Sequence, residues 1–224
     1  MQTTKPLLKV DQIGIHFGGL KAVADVSMEL YPGELCGLIG PNGAGKTTFF
    51  NLLTGVYIPS EGTIHLEDEK LNKLPPYKIT RKGISRTFQN IRLFGDLSVI
   101  DNVKVAYHSQ AKHSMFSSIV RLPTHFSGEK EMDQKAFDFL KIFNLETYRD
   151  EKAKNLPYGM QRRLEIARAL AANPRLLLLD EPAAGMNPKE TSQLMELIGF
   201  IREKFNLTYL RPGSWAADCT RDTR

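Results

Sequence analysis

"GELCGLIGPNGAGKTTFFNLLTG", residues 33–55, decides the fold. Leu35 to Ile39 form a short apolar run that reads as a buried strand, and Thr47 to Leu53 read as the opening of a helix. Between them lies Gly40-Pro41-Asn42-Gly43-Ala44-Gly45-Lys46-Thr47, a full match to Gly-x-x-x-x-Gly-Lys-Ser/Thr. The spacing has a chemical reason. Glycines let the backbone wrap tightly and turn its N–H groups inward as a nest for phosphate oxygens, and the helix that follows presents the positive end of its dipole. Lys46 is then placed to neutralise the outer phosphates, and the Thr47 hydroxyl to ligate Mg²⁺, with Thr48 beside it in the binding set.

Working outward, "NPRLLLLDEP" at 173–182 runs four leucines into two acids. Such a run is expected of a central parallel strand buried on both faces. Asp180 falls at the carboxyl end of that strand, where open α/β sheets place their ligands, and is a candidate to hold the metal's water shell. Glu181 is a candidate general base for an attacking water. Phosphate loop and acidic strand together predict an α/β P-loop nucleoside triphosphatase with a RecA-like parallel sheet. Guanine is not the expected base: the nearest Asn-Lys-x-Asp match, Asn72 to Pro75, has Pro where Asp is required.

The bulk properties agree with one soluble globular domain. The 224 residues are 42% hydrophobic and 25% charged, which excludes a disordered or fibrous chain. No apolar run approaches the roughly 18 to 20 residues of a bilayer span, and "MQTTKPLLKVDQIGIHF" lacks a signal peptide's apolar centre, so a cytosolic location is expected. Cys36 and Cys219 make no disulfide framework. The net charge of +5 is spread without a dense basic run or aromatic-basic module, so nucleic acid is not an expected partner.

Further motifs carry a resemblance. Phe17 stands in "IHFGG", Gln89 in "RTFQN", Leu156 to Met160 in "NLPYGMQRRLEIARAL", and Asn187 in "EPAAGMNP". In this order around the phosphate loop, over residues 7 to 208, they resemble the ATP-binding cassette (ABC) transporter ATPases, most of all the ATPase subunit of bacterial branched-chain amino acid importers. The resemblance implies that Phe17 stacks on adenine and that Gln89 senses Mg²⁺ and the attacking water. It also implies that Tyr158, Gly159 and Met160 occupy the place of a signature motif facing a second ATPase subunit, identical or paralogous, and that Asn187 stands in the loop crossing to it. Implied with these are a small antiparallel β subdomain, a helical arm over about 90–156, transmembrane permease subunits as partners, indirectly a solute-binding protein, and a peripheral seat on the cytoplasmic face of the membrane.

Within the signature segment, Leu156, Met160, Leu164, Ala167 and Leu170 recur at helical spacing as an inward stripe, leaving Arg162, Arg163 and Arg168 to point elsewhere. Met132, Ala136, Phe139 and Phe143 form a second stripe in the arm. The chain departs from the family's pattern in two places. Pro157 replaces the signature serine, and suits the first turn of a helix. After "FNLT" the chain leaves the pattern at about Tyr209: the last strand loses its apolar run, the family's switch histidine falls near Ser214, and no histidine follows His125. The expectation is an aberrant or truncated tail over about 209–224, by frameshift, read-through or truncation, and impaired hydrolysis. Two other readings stay open, a soluble non-transport cassette ATPase and a degenerate nucleotide-binding regulatory subunit.

Overall fold

The computed structural model describes residues 5–41, 43–110 and 123–213. Two compact units emerge, one from Met1–Gln89, Pro174–Pro182 and Ile198–Arg224, the other from Asn90–Asn173 and Ala183–Leu197.

The first unit holds two sheets. Strands β1 (Leu8–Phe17) and β2 (Leu20–Leu30) form a hairpin around Gly18-Gly19, with Phe17 opposite Leu20 and Leu8 opposite Leu30. Two consecutive glycines suit a two-residue turn, which demands backbone angles that side chains resist. Strand β4 (Glu61–Leu66) adds antiparallel to β1 and β5 (Glu69–Lys70) to β4, giving the antiparallel sheet its order β2-β1-β4-β5. Leu8, Val10, Ile13 and Ile15 of β1 are buried, and the alternation slips where a bulge places Gln12 in the left-handed region.

The second sheet of this unit is parallel, in the order β3 (Leu35–Ile39), β8 (Thr208–Gly213), β7 (Leu176–Leu179), β6 (Ile84–Thr87). All four leucines of β7 are at most 1% exposed, each gaining about 1.5–3 kcal/mol from leaving water. That burial is why the sequence runs apolar without alternation and then stops abruptly at Asp180. Helices α1 (Lys46–Leu53) and α2 (Pro76–Arg81) complete the unit. Phe49, Phe50, Leu52 and Leu53 of α1 and Ile79 of α2 join the same core as Leu176, Leu178 and Leu210.

The last strand differs from the expectation of a break at about Tyr209. It continues to Gly213, in register with β3 from Leu35↔Tyr209 to Ile39↔Gly213. The physical reason lies in what the strand keeps: Tyr209 and Leu210 are buried, and pairing with β7 ends at Leu178↔Leu210. Pro212 therefore lies beyond the last β7 partner, and its missing N–H interrupts no bond of that ladder. Ser214, near which the family's switch histidine would fall, and the rest of the tail lie outside the described residues.

The second unit is helical: α3 (Val99–Gln110), α4 (Pro123–Ile142) and α5 (Tyr158–Ala171), with the start of α6 (Pro188–Phe205). Ala136 and Leu140 of α4 and Phe143 just after it are fully buried, while Met132 and Phe139 of the expected stripe are half-buried. Asn102, wholly buried on α3, accepts from the Phe94 N–H at 2.9 Å and donates to the carbonyls of Phe94 and Ser98. One side chain thus satisfies three backbone groups of the loop that leads into α3.

Leu156, Leu164, Ala167 and Leu170 are buried as the stripe requires, but Arg162 is a correction. Rather than pointing away, it is fully buried and donates to Glu165 at 2.6 Å one turn later, with Glu165 itself 1% exposed. Charge pairing at i,i+3 lets two ionic groups occupy an interior that hydrophobic spacing alone would deny them. Arg168 is also largely covered. Its guanidinium lies 5.4 Å from the centre of the Phe94 ring, and burial pulls it below its ordinary value against the opposing pull of Glu165.

Candidate functional site

In a parallel sheet every strand ends on the same edge. In the first unit that edge therefore gathers the phosphate loop after β3, Gln89 after β6, and Asp180 and Glu181 after β7. Residues separated by more than 130 positions in the chain share one rim because of topology, which is where open α/β sheets bind ligands.

The loop itself is built as its glycines require. Gly43 and Gly45 have φ of 83° and 82°, and a Cβ at Gly45 would stand 2.4 Å from the Ala22 carbonyl oxygen. No side chain fits there without moving backbone. Ala44 N–H donates to the Pro41 carbonyl at 3.1 Å, and Phe49 N–H to the Gly45 carbonyl at 2.8 Å, so the helix starts directly from the loop. Lys46 folds over the loop, its Nζ 2.5 Å from the Gly40 carbonyl and 2.9 Å from that of Pro41. Thr47 is exposed and Thr48 half-buried on the first turn of α1; Asn42 lies outside the described residues.

The acids are held from two sides. Gln89 Nε2 donates to Glu181 Oε2 at 3.2 Å, joining two predicted catalytic residues. Glu181 takes a φ of 45°, a left-handed conformation that a non-glycine residue holds only where its surroundings enforce it. Asp180, buried, accepts from Arg86 Nη2 at 2.7 Å, and Arg86 Nη1 donates to Asn51 Oδ1 on α1 at the same distance. Neither Arg86 nor Asn51 was singled out from sequence. The motif around "RTFQN" drew attention to its glutamine, and an arginine on a strand gives no local sign of a partner on another strand.

Phe17, at the end of β1, is 45% exposed and meets Tyr57 edge to face, ring centres 5.2 Å apart. An aromatic face left partly open is suited to stacking a planar base. Tyr57, which makes this edge contact, carried no sequence signal.

The oxygen donors fit a magnesium ion. Thr47 offers a hydroxyl, Gln89 an amide oxygen and Asp180 a carboxylate, all hard ligands, of the kind completed by phosphates and water rather than by a protein cage. Among the described residues no three His, Cys, Asp or Glu side chains gather as a metal-holding cluster.

In the helical unit, Pro157 is the N-cap of α5 rather than its first helical residue. Its carbonyl accepts from both Met160 and Gln161 N–H at 2.9 Å, and Gln161 Nε2 reaches back to the Leu156 carbonyl at 2.8 Å. Pro157 and Tyr158 are exposed, Gly159 and Met160 half-buried. The Tyr158 hydroxyl donates to the Ala184 carbonyl at 2.8 Å, tying the start of α5 to the loop before α6. Asn187 caps α6 reciprocally: its Oδ1 accepts from Glu190 N–H at 2.9 Å, while its own N–H donates to Glu190 Oε2 at 3.1 Å. Asn187→Ala is expected to cost about 1 kcal/mol in urea unfolding, the usual worth of such a cap.

The profile of the ABC transporter family matches residues 23–184. The high-affinity branched-chain amino acid transport ATP-binding protein LivG of Escherichia coli (strain K12) is 49% identical over 92% of this chain and 81% of its own length. BraF of Pseudomonas aeruginosa, described in the same terms, is 44% identical over the same shares. Among solved structures, the ADP conformation of MJ1267, an ATP-binding cassette of an ABC transporter, superposes with a TM-score of 0.78 at 31% identity, covering 93% of this chain and 81% of that one. The ATP-binding cassette MJ0796, in a dimeric post-hydrolysis state bound to ADP and Pi, gives 0.76 at 25% identity, covering 93% and 88%.

Proposed function

The chain belongs to the ABC transporter family and is one of its ATP-hydrolysing subunits, and from that premise we propose that the transporter it powers imports branched-chain amino acids. The observation that carries the catalytic part is the gathering of phosphate loop, Gln89, Asp180 and Glu181 on one rim of the parallel sheet. The cargo is supported by the likeness to two importer subunits along nearly the whole chain.

In this reading the phosphates of ATP lie against the inward N–H groups of Gly43 to Thr47. Lys46, held at rest by two neutral carbonyls, exchanges them for phosphate oxygens, because a charge-assisted bond is the stronger one. Phe17 stacks on adenine. Glu181 takes the proton of the attacking water, and the Gln89 amide fixes the carboxylate in place. Thr47, Gln89 and Asp180 would hold a magnesium ion, which would supply positive charge to the phosphate oxygens. A second ATPase subunit faces the first, its Tyr158, Gly159, Met160 and Asn187 closing on the phosphates. Closure works two permease subunits, which receive their cargo from a solute-binding protein. No described helix is long and apolar enough to cross a membrane, and the chain sits on the cytoplasmic face by holding to the permeases. The family's switch histidine would fall near Ser214, no histidine follows His125, and turnover is slow in this reading.

Co-expression with candidate permease subunits tests this. Co-purification in detergent with two multi-spanning proteins is the expected result. Elution alone, with ATP binding retained, would favour a soluble cassette ATPase.

A further inference from the structure

Arg86 holds together three elements of the nucleotide-binding rim. From β6 it donates to Asn51 on α1 and to Asp180 at the end of β7, each at 2.7 Å. The Phe50 and Phe88 rings lie 5.4 and 5.1 Å from its guanidinium carbon. The side chains of Arg86 and Asp180 are only 5% and 6% exposed, and the buried Arg86 Nε has no hydrogen-bond partner.

A strut between strands and a helix needs no charge. Apolar side chains of similar volume join such elements without the desolvation that a buried guanidinium and carboxylate incur. What this pair supplies, and an apolar contact cannot, is a positive charge against Asp180. The geometry points to Arg86 as the resident counter-charge of Asp180: a positioning residue that neutralises and aims the carboxylate when no metal is bound, and competes for it when Mg²⁺ arrives with nucleotide. It rests on the reading of Asp180 as the acid on the metal side. One carboxylate shared with a guanidinium draws a divalent cation less strongly than one left alone, so Arg86 weakens Mg²⁺ binding and keeps it reversible.

Thermal unfolding of the purified chain in saturating ADP, titrated with Mg²⁺, tests the inference without requiring turnover. In Arg86→Met the starting melting temperature falls, and the Mg²⁺ concentration giving half the metal-dependent shift drops by about tenfold, because the guanidinium no longer competes with the ion for the carboxylate. Arg86→Gln, which keeps amide hydrogen bonds and folds more readily, shows the same drop. Arg86→Lys keeps the charge and keeps the parent's midpoint. Asn51→Ala loosens α1 and also leaves the midpoint in place. Neutral variants that lose stability with an unmoved or raised midpoint would make Arg86 a structural strut and overturn the inference alone. A parent chain that ADP does not stabilise, with or without Mg²⁺, would overturn the nucleotide-site reading and this inference with it.

Discussion

Lys46→Ala lowers ATP turnover by about 10²–10³-fold, the usual consequence of removing a charged donor aimed at developing negative charge. The geometry isolates this effect. Lys46 donates to the carbonyls of Gly40 and Pro41, both within its own loop, and is not among the residues of the buried core. Its loss should change urea stability by no more than about 1 kcal/mol, the net worth of an ordinary hydrogen bond. Phosphate release, fluorescent ATP-analogue binding and urea unfolding, measured on the same preparation, separate the outcomes. Turnover surviving the substitution would place hydrolysis at another site.

Glu181→Gln is the complementary case, since it removes the base and leaves the shape. Turnover falls by about 10²–10⁴-fold, the range for a positioned general base. Nucleotide affinity is retained, because Gln accepts the same bond from the Gln89 amide that Glu181 accepts at 3.2 Å. Unable to complete hydrolysis, the variant accumulates as an ATP-bound dimer, which size-exclusion chromatography with and without ATP detects. A variant that binds ATP and remains monomeric would contradict closure between two ATPase subunits. Equal loss in Lys46→Ala and Glu181→Gln, with binding lost in the first alone, would assign the lysine to phosphate capture and the glutamate to chemistry.

The places of both residues in the fold were legible in the sequence because the signals are local. Strand, glycine loop and helix follow one another in the chain, and the structure places the strand at Leu35–Ile39 and the helix at Lys46–Leu53. Four leucines before two acids mark a doubly buried strand for the same reason, since only burial on both faces tolerates such a run. Arg86 was not legible. Its partners lie 35 and 94 positions away, and only the alignment of β6 with β7 and the closeness of α1 bring them within reach. Arg162 was misread because hydrophobic spacing treats every arginine as outward-facing. The clue, a glutamate one turn on, was present in "RRLE" but has meaning only once both are known to be buried. The extent of β8 was hidden by Pro212, whose effect depends on which neighbour it faces.

The central claim is that hydrolysis on this rim drives import, and ATP-driven uptake tests it most directly. The chain is reconstituted with its two permease subunits in lipid vesicles, and uptake of labelled leucine is followed with solute-binding protein on one side and ATP with Mg²⁺ on the other. The account predicts slow accumulation that requires ATP on the side of this chain and is abolished by Lys46→Ala. An assembled complex that binds ATP but accumulates no branched-chain amino acid, or one that accumulates it equally with Lys46→Ala, would contradict it.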